Sequence, residues 1–254
     1  MALFTDGPAS TMDDLAAQDS QILDTASIEG IDLGRKLATA QDELSLEITS
    51  LLNRRSPSLD PLWLTAAPDV SHVVVTPPLK LWHTFRSLEL TYQEAYFNQL
   101  NERYSGKRDA FHEMAVWARE KLIDLGLGIA TDPAPRAATP TVQTTVGNLA
   151  AGTYYVTMAW VNRTGQEGAS AIPAVASTAN DTLLVQPVNA PGNATGWNVY
   201  LGQTPESMTL QNGTPIAPTL SWTQPNVATT NGRTAGCGQA PSYMFVTART
   251  LERG

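Results

Sequence analysis

The sequence predicts an α+β, multidomain chain. An antiparallel helical bundle spans 1–131, a proline-rich linker 132–140, and an antiparallel β-sandwich 141–254. Three observations lead there. Charge is lopsided: residues 1–136 hold 20 of the 24 acidic and 12 of the 16 basic side chains, so the whole formal charge of −8 lies in the first half. Apolar residues recur at three- and four-residue spacing up to about residue 125, which is a helical pattern. Beyond the prolines, short alternating runs separated by turn residues take over.

Residues 3–9 read as an extended arm. The first helix begins near Ser10, Thr11, Met12, Asp13 and Asp14, where a hydroxyl can cap and two aspartates complement the helix dipole. Its apolar face is Leu15, Ile22, Leu23 and Ala26, and it stops near Glu29 and Gly30. The second helix covers about 32–54. Leu33, Leu37, Ala40, Leu44, Ile48 and Leu51 give it the strongest periodicity in the chain, with Asp42, Glu43 and Glu47 on its solvated side. A loop at 55–79 follows, broken by Pro57, Pro61, Pro68, Pro77 and Pro78. The β-prone run Ser71–Thr76 lies inside it. Long loops of this kind are usually functional or touch partners.

The third helix is expected over 80–104, with Leu81, Phe85, Leu88, Tyr92, Ala95, Tyr96 and Gln99 as its buried stripe. The fourth is expected over 106–125, with Phe111, Met114, Ala118, Leu122 and Leu125 in register, ending at Gly126. About two residues separate these helices, so they should form an antiparallel hairpin. Strands are expected at 153–161, 182–186, 197–201, 208–211, 220–222 and 243–248. These short strands, with turn residues between them, imply the sandwich, with Trp160, Trp197, Trp222, Tyr155 and Tyr200 in its core.

Several function classes fit poorly. Gripping a nucleic-acid backbone needs clustered Lys and Arg, yet no basic run exceeds the pairs Arg35-Lys36, Arg54-Arg55 and Lys107-Arg108. Cys237 is the single cysteine, so no intrachain disulfide or cysteine-rich zinc site forms, which suits a reducing compartment. The first residues lack a basic region and an apolar stretch, so no signal peptide is expected. No apolar run approaches membrane-spanning length.

Catalytic and metal motifs are also missing, and neither a catalytic residue nor a cofactor is expected. His112-Glu113 superficially resembles a zinc-protease helix, but Val116 stands where the second histidine belongs. His83, beside Trp82, reads as a surface or interface histidine. No G-x-S-x-G elbow and no phosphate-cradling glycine loop is present. Asp13-Asp14 and Asp42-Glu43 are helix neighbours pointing about 100° apart, so they do not converge. The second half, poor in charge and rich in Thr and Asn, suits a glycan-binding or protein-binding surface, or an inert spacer.

Three stretches in the first half carry a family resemblance: IEGIDLGRKLATAQDEL at 28–44, LELTYQEAYFNQLNERY at 88–104 and WAREKLIDLGLGI at 117–129. In them the chain resembles the head–tail adaptor (head-completion or connector) proteins of tailed bacteriophages. The second half, through GTYY at 152–155, GQEGAS at 165–170 and ATGWNVY at 194–200, resembles immunoglobulin-like or fibronectin-III-like modules appended to virion proteins. The resemblance implies a structural virion protein, not an enzyme. It would form a homo-oligomeric ring, commonly a dodecamer, in the neck. Portal protein and tail or neck proteins would be its partners, and DNA would pass through without sequence-specific binding. Assembly would occur in the host cytoplasm, without a membrane. Leu3 and Phe4 of the arm, and Val73, Val74 and Val75 of the loop, are the subunit-interface candidates, the valines as a strand added to a neighbour. The alternatives are another tail, baseplate or fibre-attachment protein, or a surface glycan-binding module protein.

Overall fold

Five helices and ten strands follow one another among the residues that this computed structural model describes, 1–53, 68–99, 102–225, 232–236 and 238–246. In chain order they are α1 (Met12–Gln18), α2 (Ile22–Glu29), α3 (Leu33–Asn53), β1 (Val73–Val74), α4 (Pro77–Gln99), α5 (Ser105–Leu125) and β2 (Leu127–Ile129). Then come β3 (Thr141–Val146), β4 (Gly152–Asn162), β5 (Ala174–Thr178), β6 (Asp181–Gln186) and β7 (Ala194–Gly202). β8 (Thr209–Leu210), β9 (Trp222–Thr223) and β10 (Tyr243–Phe245) complete the order. The chain divides into a helical unit, Gly7–Ile129 with Pro241–Gly254, and a β unit, Met1–Asp6 with Ala130–Ala240. These bounds differ from the expected 1–131, 132–140 and 141–254, because both ends of the chain belong to the unit that lies farther away in sequence.

In the helical unit, Thr11 and Asp14 form a capping box at the start of α1: the Asp14 N–H donates to Thr11 Oγ1 and the Thr11 N–H to Asp14 Oδ2. The expected single first helix is two. Asp19 leaves helical geometry, and its Oδ1 accepts the Gln21 N–H at 3.1 Å, which starts the turn into α2. Leu15, Ile22 and Ala26 are buried, but Leu23 is exposed. Gly30, at φ +67°, ends α2. α3 buries all six residues of its expected stripe.

α4 departs most from expectation. It begins at Pro77, and burial surrounds it: Leu79, Trp82, His83, Thr84, Phe85, Ser87, Leu88, Glu89, Thr91, Tyr92 and Ala95 are all buried. The helix packs against α1, α2, α3 and α5. Its buried hydroxyls stay satisfied because each donates back one turn: Thr84 to Lys80 O, Ser87 to His83 O and Thr91 to Ser87 O, each at 2.8 Å. α5 returns antiparallel, with Phe111 stacked on Tyr92 and His112 beside Glu89. Phe111, Ala115, Ala118 and Leu122 face inward, while Met114 and Leu125, expected in the stripe, are exposed.

A three-stranded antiparallel sheet, ordered β1-β2-β10, closes this unit. The run 243–248, expected as a strand of the sandwich, supplies β10 here instead. Its partner is β2, with Tyr243 opposite Ile129 and Phe245 opposite Leu127.

The β unit holds two antiparallel sheets, β3-β6-β9 and β5-β4-β7-β8. Alternation on β4 sends Tyr154, Val156, Met158 and Trp160 to one face. There they meet Trp197, Val199 and Leu201 of β7, Leu183 and Val185 of β6, and Trp222 of β9 in one apolar cluster. Tyr200 and Tyr155, expected in this core, belong to the other face of β4 and β7, with Ala159, Met208 and Leu210. β3 and β5 escaped the sequence reading. β3 buries none of its residues fully, and β5, although its burial alternates, turns Val175 outward and only alanines and a threonine inward, so neither shows an apolar alternation in sequence.

The expected linker is part of the β unit. Ala134 and Ala137 are buried. Asp132 accepts from Arg163 Nη2 at 3.1 Å, the Arg163 N–H at 3.0 Å and Asn193 Nδ2 at 2.8 Å. Burial works against its charge, but these donors outweigh burial and hold its carboxyl below the usual range. The expected extended arm is instead a single turn of 3-10 helix, Phe4–Asp6, closed by the Leu3 N–H on Asp6 Oδ2 at 2.8 Å.

Candidate functional site

The five interface candidates are divided between the two units. Leu3 and Phe4 are buried inside the β unit. Val73 and Val74 are buried inside the helical unit, where β1 pairs with β2 of the same chain. Val75 is half-buried. The apolar faces of the arm and of β1 are therefore already covered by their own chain. Of the 55–79 loop, residues up to 67 lie outside the described residues, as does Cys237. His83 is fully buried, contrary to the surface position expected for it.

What the sequence reading missed is a groove of about 390 Å³ in the helical unit. Its walls come from three helices. α3 presents Glu43 and Glu47 on either side of Leu44, with Leu46 at the rim. α4 supplies Trp82, Arg86 and Glu89, and α5 supplies His112, Ala115, Val116 and Arg119. Spacings of three and four residues put each set on one side of its helix. Leu44, Trp82 and Ala115 are buried and form an apolar floor, whereas Leu46 (74% exposed) and Val116 (43%) stand free at the edges.

Ion pairs frame this floor. Arg86 Nε donates to Glu43 Oε2 at 2.6 Å and Arg86 Nη1 meets Glu89 Oε1 at 2.7 Å. Burial disfavours the Arg86 cation, yet the two carboxylates outweigh it and raise its pKa above the ordinary value. His112 Nδ1 lies 2.9 Å from Glu89 Oε1. Arg119 Nη2 reaches from α5 to Glu47 Oε2 on α3 at 2.9 Å. Each guanidinium is thus committed to a carboxylate. Three carboxylates share the lining with two guanidinium groups and the His112 imidazole. Such a groove suits an apolar anchor with a polar surround, the usual pattern of protein contacts. Among the described residues no group of three or more His, Cys, Asp or Glu side chains is placed to hold a metal ion. None of the described helices is long and apolar enough to cross a membrane.

The signal for this site is Leu46. It interrupts the polar side of α3 between Glu43 and Glu47, and no position in the buried stripe explains it. The rest of the groove depends on which helices meet, which one-dimensional periodicity does not encode.

The chain matches no protein-family model, and no curated protein is significantly similar to it.

Proposed function

We propose that this protein is a structural subunit of a tailed-phage virion, a head–tail adaptor of the neck whose helical unit docks a neighbouring protein in the groove along α4. One observation carries the reading. The three stretches that resemble adaptor proteins each reach that groove and contribute four of its eleven lining residues: Glu43 and Leu44 come from 28–44, Glu89 from 88–104 and Arg119 from 117–129. The exposed rim residues Leu46 and Val116 give a partner's apolar side chain something to cover.

On this reading the subunits form a ring around the DNA path, which requires an interface between unlike surfaces whose rotation closes. The acidic excess of the first half keeps DNA moving, because repulsion discourages phosphate contacts. The β unit, whose two antiparallel sheets share one apolar cluster, is then an immunoglobulin-like or fibronectin-III-like sandwich carried by the adaptor. The test is native mass spectrometry of the protein mixed with candidate portal protein. A complex whose stoichiometry matches the portal's symmetry is expected. A trimer, or no binding while both proteins are folded, overturns the reading in favour of fibre attachment.

A further inference from the structure

β3 is built unlike the other strands of its unit. It ends its sheet, so among the described residues its one hydrogen-bonded neighbour is β6. Five of its six residues are exposed, and only Val142 reaches the apolar cluster. Val146, in a β-strand, is 98% exposed. The second half of β3 therefore gains almost no burial from its own chain. Proteins normally protect such an edge with lysine, proline or a bulge. The sequence TVQTTV contains no charge and no proline, and its register with β6 is unbroken. β5, which ends the other sheet and packs beside β3, is also uncharged and exposes Val175.

The hydrogen-bond pattern fixes which groups of β3 face outward. The Gln224 N–H donates to Leu183 O at 2.8 Å, so Leu183 turns its backbone polar groups toward β9. By alternation Thr182, Leu184 and Gln186 turn theirs toward β3, where they meet Thr145, Gln143 and Thr141. The N–H and C=O groups of Val142, Thr144 and Val146 therefore point away from the sheet.

We propose that β3 pairs antiparallel with β3 of a second copy of this chain, about a two-fold axis through Thr144. Outward-facing residues must meet outward-facing residues, so Thr144 lies opposite Thr144. Val142 then lies opposite Val146 of the second copy, and Val146 opposite its Val142. About six backbone hydrogen bonds form. Both valine pairs fall on the face that carries the apolar cluster, and Gln143 meets Thr145 on the other. Each valine pair covers apolar surface that the single chain leaves bare. The strand is thus complementary to itself, which singles out a second copy over an unrelated peptide. No charge on the strands opposes the pairing, because none of the four acidic and four basic side chains of residues 137–254 lies on β3 or β5. The contact also consumes the open edge, which stops further sheet growth. It stands apart from the neck reading, since a two-fold contact does not lie within a single cyclic ring. It describes the free protein.

Sedimentation velocity on the full chain tests this over roughly 1–100 µM, where a modest interface associates. A dimer that dissociates on dilution is expected. Thr144→Pro removes an outward N–H and spares the ladder to β6. Thr144→Lys sets two like charges opposite each other. Both variants should weaken association by roughly tenfold or more, with unchanged melting temperature at concentrations where the wild type is monomeric. The amides of Val142, Thr144 and Val146 should gain hydrogen-exchange protection as concentration rises. A chain monomeric throughout that range overturns the proposal. So does a dimer that survives in both variants, which would place the contact elsewhere. If Thr144→Pro fails to fold, the lysine variant decides.

Discussion

Ser10 and His83 are joined by a 2.6 Å hydrogen bond that ties the segment before α1 to the second turn of α4. His83 Nε2 lies 3.1 Å from the Leu37 carbonyl. A carbonyl only accepts, so Nε2 carries the proton and Nδ1 accepts from the Ser10 hydroxyl. The ring is neutral. Burial is the main cause and pushes its pKa from 6.5 down to about 4, against smaller opposing effects of the Leu37 carbonyl and Asp14.

That arrangement makes stability depend on pH. The unfolded chain takes up a proton near 6.5, whereas the folded protein resists until about 4. Within that window the unfolded state binds more protons. Stability is therefore full above the upper value and falls as the pH drops toward the lower, by about 3 kcal/mol at most. Urea melts at successive pH values check this. His83→Gln should flatten the dependence. Equal stability of the wild type at both ends of the window would mean that the neutral ring is not what α4 buries.

Asp19 links three parts of the helical unit. Its Oδ2 accepts from the Tyr92 hydroxyl and, at 2.8 Å, from Lys107 Nζ, while Oδ1 holds the turn at Gln21. Burial is the largest single influence on this carboxyl and would raise its pKa. The hydrogen bonds from Lys107, Tyr92 and Gln21 together outweigh it and lower the pKa below 3.8. The contribution is thus complete at neutral pH and is lost only as pH falls through the lowered value. Asp19→Ala removes the acceptor shared by the Tyr92 hydroxyl and Lys107, which are left with the 3.0 Å bond from Lys107 Nζ to the Tyr92 oxygen, and should cost about 2–4 kcal/mol, against about 1 kcal/mol for Tyr92→Phe. The double variant should lose less than the sum of the two. Strict additivity in thermal melts would deny the coupling.

α3 was legible because one side of it is wet, so its buried residues keep a clean period. α4 was legible only in part. Phe85, Leu88, Tyr92 and Ala95 of its expected stripe are buried, but burial runs on around the helix. The buried Ser and Thr residues satisfy themselves against the preceding turn, so no apolar pattern marks those faces, and His83 looked like a surface residue. α1 and α2 read as one helix because the break comes from Asp19, whose hold on Tyr92 and Lys107 is tertiary. The strands β4, β6 and β7 showed in sequence through alternation. β3 gave no such signal, since its residues are exposed on both faces. The groove was invisible for another reason: Glu47 and Arg119 are 72 residues apart and meet only once α3 and α5 flank α4.

Gly126 ends α5 at φ +92°, and a Cβ there would lie 2.6 Å from the Phe245 carbonyl oxygen. Backbone blocks the substitution, not a side chain able to swing away. Gly126→Ala should destabilise the helical unit by at least about 1–2 kcal/mol. The damage should centre on β10, so the Ser242 amide, bonded to Ile129 O at 2.7 Å, should lose hydrogen-exchange protection first. An alanine variant as stable as the wild type would contradict the placement of β10 beside β2.

The groove makes the sharpest demand, because stability and binding should separate there. Leu46 and Val116 are exposed, so Leu46→Glu and Val116→Glu should each change stability by no more than about 0.5 kcal/mol. Arg119→Ala removes a half-exposed ion pair and should cost about 1 kcal/mol or less. Trp82→Ala empties the floor and should cost about 3–5 kcal/mol. If the groove docks portal protein, the two glutamate variants should melt like the wild type yet fail to join portal in native mass spectrometry. If they bind undiminished, the partner does not sit on α3 and α5, and the exposure of Leu46 needs another explanation.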